Sequence, residues 1–176
     1  MTLKPRDPLL TTARLFLTGL MGLVILVGGA MLIAAPTMFF ARTEVLSGIA
    51  AEAGRPIGMD TLYLIIGILV LIAAMAALAF GFLRDLRRIV DSVGLADPFA
   101  PINATRLARM GWITLAIEAL SLPIGALGSY LASQFKDATA DFGISVGGLL
   151  LALVLFILAR VFRQGAAMRD ELEGTV

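Results

Sequence analysis

One ionisable side chain lies deep inside an apolar stretch of this chain: Glu118, in the run RMGWITLAIEALSLPIG. A carboxylate surrounded by lipid is costly unless it is protonated or paired, so such a residue is a functional candidate by default. At ~3.6 residues per turn, Thr114, Glu118, Ser121, Gly125 and Ser129 share roughly a quarter of a helix circumference. Glu118 is therefore expected on a small, polar face, with Arg160 of a later apolar stretch as the cation that could approach it. Proton coupling and capture of a cationic ligand are the chemistries open to such a site. The plainer role is a hydrogen bond between helices that pins their packing. A lone carboxylate without a second polar group makes a poor relay, which favours the plainer role.

Other reactive residue types are scarce. The chain has no cysteine and no histidine. This excludes disulfides, thiolate metal sites, catalytic imidazole and cysteine nucleophiles. No glycine-rich phosphate loop, paired catalytic carboxylates or nucleophile elbow is present, so no catalytic residue, cofactor or metal is expected, and no enzyme. Met21, Met31, Met38, Met59 and Met75 offer soft thioethers of the kind copper(I) prefers, but methionine is also an ordinary filler of apolar packing. Arg84, Arg87 and Arg88 suit anionic lipid heads, although their weight as a topology signal accounts for them without that.

The elements that must position these residues follow from composition. Of 176 residues, 59% are hydrophobic and 15% charged, against about half and about a quarter in soluble domains. The apolar excess falls in blocks, and a crossing helix needs ~20 mainly apolar residues. The expected fold is all-α: one polytopic domain over 1–176 with four transmembrane helices at about 13–40, 61–83, 109–131 and 142–162. The first block is too long for the ~7–15 apolar residues of a signal peptide, so it is read as a retained crossing. Between the first two blocks, Thr43 is the expected cap of a short helix that Gly54 and Pro56 end. In the second block Ala73, Ala77 and Gly81 recur every four residues, a spacing that admits a close neighbour.

A hinge at 84–108 joins the two hydrophobic halves. Phe82, Leu86, Ile89, Val90 and Val93 keep helical spacing while Arg84, Asp85, Arg87, Arg88 and Asp91 take the other positions, so an amphipathic helix should continue out of the second crossing until Gly94. Pro98 and Pro101 make a turn, and Asn103 is the expected N-cap of the third helix. That helix carries Trp112 and Tyr130 near its ends as interface anchors, and Pro123 should bend it. A tail at 163–176 prolongs the fourth helix.

Cytoplasmic flanks of membrane helices are enriched in Lys and Arg. With four crossings, eleven of the fourteen Lys and Arg residues share the side of both termini and the hinge; Arg42, Arg55 and Lys136 take the other. Both termini are therefore expected in the cytoplasm, in a multi-pass protein of the inner membrane. The net charge of +1 gives no reason to expect direct nucleic-acid binding.

The hinge run LADPFAPINATRLARMGW and the ending LARVFRQGAAMRDELEGTV carry a resemblance. Asp97, Pro98, Phe99, Pro101, Asn103 and Trp112, then Phe162, Gly165, Leu172, Glu173 and Val176, are similar to segments of the bacterial membrane-protein family of domain of unknown function 2975, over roughly residues 10–176. The resemblance implies four helices, no enzyme activity, and genes that often neighbour small helix-turn-helix regulators. It thus implies a membrane protein that holds or senses with such a regulator.

Three functions compete on this reading. The first is a cytoplasm-facing interaction protein whose docking surface comprises Arg84, Arg87, Arg88, Asp97, Pro98, Phe99, Asn103, Phe162, Leu172 and Glu173. The second is a small proton-coupled transporter using Glu118, Ser121, Thr114 and Arg160. The third is a structural subunit of a membrane complex. The expected partners are the lipid bilayer, a cytoplasmic regulator and a further copy of the chain.

Overall fold

A computed structural model of the protein describes residues 8–54, 56–94, 100–133 and 145–173. Every regular element in it is an α-helix: α1 (Pro8–Phe40), α2 (Arg42–Ala53), α3 (Met59–Gly94), α4 (Pro101–Ala132) and α5 (Val146–Glu173). All but α2 contain a segment long and apolar enough to cross a membrane. At ~1.5 Å per residue, the 36 residues of α3 run to about 54 Å. Roughly 30 Å of that would fill a hydrocarbon core. The excess carries the hinge arginines, so the amphipathic hinge and the second crossing form one unbroken helix, as their shared periodicity implies.

Helix ends follow local chemistry, with two departures from expectation. Gly54, at φ 65°, closes α2 in the left-handed conformation that glycine adopts without penalty. Thr43, however, does not cap α2. The cap position is Ala41, with no side-chain hydrogen bond, because the backbone runs on from α1: Ala41 N donates to Thr37 O at 2.9 Å and Val45 N to Ala41 O at 3.0 Å. Nor is Asn103 an N-cap. Helix α4 starts two residues earlier at Pro101, a first-turn position where the missing N–H costs nothing, and this frees the Asn103 side chain for another helix. Pro123 lies inside α4, which continues through it. In α2, Val45, Leu46 and Ile49 are half-buried while Thr43, Glu44 and Ser47 are exposed, the one-sided pattern their spacing implies. The expected turn at Asp97, Pro98 and Phe99, residues 142–144 at the expected start of the fourth crossing, and the charges Lys136, Asp137 and Asp141 lie outside the described residues.

The chain divides into two compact units, and α1, α3 and α4 each contribute to both. One unit holds residues 24–78 and 117–145. There α1 and α3 approach closely: a Cβ at Gly28 would sit 3.0 Å from Ala76 Cβ. The residue of α3 at this approach is Ala76; Ala73 is buried and Ala77 is exposed. Of the expected stripe, Ala77 alone turns outward, because at ~3.6 residues per turn a four-residue repeat drifts around the helix.

The other unit holds residues 1–23, 79–116 and 146–176. Its core is Leu107 and Met110 of α4 with Leu155 and Ala159 of α5, covered by Phe82, Leu86 and Ile89 of α3 and Phe162 of α5. Gly111 lets the Phe156 ring lie against α4: an added Cβ would stand 2.9 Å from its Cε1. That ring meets Trp112 edge-on at 5.4 Å between centroids.

Candidate functional site: a polar layer on the hinge helix

In the unit that carries the hinge, α3 and α4 are antiparallel in strict register. Gly81 faces Ile113, Asp85 faces Arg109, the Arg88 carbonyl faces Arg106, and Ser92 faces Asn103. Each step of three or four residues along one helix matches a step of three or four back along the other. That register turns a set of polar side chains inward.

Asn103 is the centre of it. Its side chain is fully buried. Arg106 Nη1 donates to Asn103 Oδ1 at 2.9 Å and to the Arg88 carbonyl at 3.3 Å. Asn103 Nδ2 donates to Ser92 Oγ at 2.7 Å, and Ser92 Oγ donates to the Ile89 carbonyl at 2.7 Å. Donors and acceptors thus run in one direction from the guanidinium to the backbone of α3. Buried amides are tolerated only when satisfied in this way, and the chain of bonds sets the height of α4 against α3.

Asp85 is the second element. Its side chain is 0% exposed, and Arg109 Nη1 reaches its Oδ2 at 3.5 Å, the Arg109 side chain being 51% exposed. The other carboxylate oxygen, Oδ1, is buried and accepts no hydrogen bond. Among the described residues Asp85 therefore depends on one long contact, from a half-exposed guanidinium. The third element joins α1. Arg14 Nε stands 2.8 Å from Asp91 Oδ1, with both side chains a little over two-fifths exposed. The two atoms are close enough for an ion pair but off line for a hydrogen bond. A pair this exposed contributes at most about 1 kcal/mol. Gly94 makes room for it, since a side chain there would run into the Arg14 guanidinium.

The residues singled out in the sequence divide clearly. Asn103 is buried and Phe162 packs on the core, so neither offers its side chain to a docking partner. Arg84 and Arg88 are exposed and Arg87 is half-buried. Asp97, Pro98 and Phe99 lie outside the described residues, as do the side chains of Leu172 and Glu173. Thr114 Oγ1 donates to the Met110 carbonyl at 2.9 Å and Ser121 Oγ to the Glu118 carbonyl at 2.7 Å; both hydroxyls serve their own helix.

Glu118 accepts a hydrogen bond at its Oε2 from the Ser145 backbone N–H at 2.9 Å. Ser145 immediately precedes α5, so the carboxylate holds the chain at the point where that helix begins. Arg160 is exposed on α5. Asp85, Ser92 and the Arg14–Asp91 pair were not singled out from sequence. A signal for Asp85 was present, since it falls three residues after Phe82 and four before Ile89, inside the apolar stripe of α3. Among the described residues no group of acids is placed to hold a metal ion.

Helices of this length and composition, clasped at one end by a buried polar layer, define a multi-helix protein with four candidate membrane spans. The chain belongs to the family described as "Protein of unknown function (DUF2975)", whose profile matches residues 60–176. The match covers α3, α4, α5 and the tail, and begins after α1 and α2. No curated protein and no solved structure matches the chain.

Proposed function

We propose that this protein is a multi-pass inner-membrane protein, with both termini and the hinge in the cytoplasm, that serves as the membrane partner of a cytoplasmic regulator, a small helix-turn-helix protein being the class its family resemblance implies. The observation that carries the reading is the polar layer. It clasps α1, α3 and α4 at the arginine-rich end and so holds that end of the helices as a preformed support for a partner. The exposed Arg163 and Arg169 of α5 extend the charged area. The charge asymmetry supports the orientation. The bond from Ser145 to Glu118 supports a structural role for the one acid in the spans, and this weighs against a proton-coupled carrier.

Two experiments test it. The chain lacks cysteine, so single cysteines label cleanly. Gln164→Cys should react with a membrane-impermeant maleimide only after the cells are opened, and Ser47→Cys in intact cells; the reverse pattern refutes the orientation. A chain truncated after Arg163 should insert but lose its crosslinked cytoplasmic partner. Unchanged capture of the same partner refutes the docking role.

A further inference from the structure

The hinge stretch of α3 carries three arginines and two aspartates within eight residues. Read along the helix, these charges compensate one another at three- and four-residue spacing. The fold pairs them otherwise. Asp91 takes Arg14 of α1 and Asp85 takes Arg109 of α4. Both acids are thus engaged by cations from other helices, and no carboxylate among the described residues pairs with Arg84, Arg87 or Arg88. Arg84 and Arg88 are exposed one turn apart on the same face, directly after the apolar run that ends at the buried Leu83.

From this charge distribution we infer that Arg84 and Arg88, with Arg87 beside them, form a binding site for the headgroup phosphate of an anionic phospholipid. Arginines one turn apart present several N–H donors to one phosphate, a geometry that suits guanidinium better than ammonium. Their place at the end of an apolar helix segment puts them at the depth where lipid phosphates lie. A soluble acidic protein would have to reach into the headgroup layer to meet the same groups, so the lipid is the better fit. The inference rests on the chain spanning a membrane and not on its having a protein partner.

The test uses the full chain, purified in mild detergent and offered phosphatidylglycerol and phosphatidylcholine, with bound lipid counted by native mass spectrometry. Wild type should retain phosphatidylglycerol in preference to phosphatidylcholine. Arg84→Gln/Arg88→Gln should weaken that retention by about thirtyfold, from the usual contribution of a basic residue near an anionic surface. Arg160→Gln/Arg163→Gln, which removes the same charge from α5, should change it less than threefold. Arg84→Lys/Arg88→Lys keeps the charge and serves as the folding control; it should restore at least part of the preference. Equal retention in wild type and Arg84→Gln/Arg88→Gln overturns the inference, and so does an equal loss in the α5 pair. Capture of an acidic protein that depends on Arg84 and Arg88, with lipid retention unchanged, overturns it too. The partner reading fails separately, through the tail truncation.

Discussion

Removing Arg109 should harm this protein more than removing the acid it meets. Asp85 is fully buried; among the described residues it has one cationic neighbour, at 3.5 Å, and its second oxygen accepts no hydrogen bond. Truncating one member of a buried pair costs about 3–5 kcal/mol, because the other charge is left uncompensated. Here the separation is long and half of the Arg109 side chain is exposed, which lowers the expectation for Arg109→Ala to roughly 2–3 kcal/mol. Asp85→Asn removes the charge that would be stranded and should cost only about 1 kcal/mol, the scale of a single hydrogen bond. The double variant should resemble Asp85→Asn alone, a coupling of about 2 kcal/mol. The measurement is unfolding by sodium dodecyl sulfate in mixed micelles, followed by the fluorescence of Trp112. This is the only tryptophan in the chain; it lies three residues from Arg109 and contacts Phe156 of the same unit. A loss below about 0.5 kcal/mol for Arg109→Ala, or strict additivity in the double variant, would refute the argument that Arg109 compensates a buried carboxylate.

Two further outcomes follow from single contacts. Gly28→Leu should destabilise by about 1–3 kcal/mol, the usual cost of overpacking, because a Cβ there already meets Ala76 at 3.0 Å; Gly29→Leu, with nothing within 4 Å, should be tolerated. Similar melting temperatures for the two variants would contradict the α1–α3 approach. Glu118→Gln keeps an acceptor for the Ser145 N–H and should change stability by less than about 0.5 kcal/mol, whereas Glu118→Ala should lose about 1 kcal/mol. Substrate-dependent proton flux in vesicles that Glu118→Gln abolishes would instead revive the carrier reading.

What could be read without coordinates was local. Apolar block length gave the four long helices, because a backbone in lipid must satisfy its own hydrogen bonds and each block is long enough to do so as a helix. The periodicity of Phe82, Leu86 and Ile89 gave the extension of α3 to Gly94, and Gly54 gave the end of α2, since both depend on a few neighbouring residues. The tertiary structure decided the pairings. Along α3, Asp85 has Arg88 three residues on, and Asp91 has Arg88 and Arg87 three and four residues back; the choice of Arg109 and Arg14 instead came from the register of α4 on α3 and the approach of α1. The same register took Asn103 from a cap to the centre of a buried network, while Glu118 meets the backbone N–H of Ser145, 27 residues on. Helical spacing says which residues share a face, but only packing says which way that face is turned, and charge pairing follows the facing.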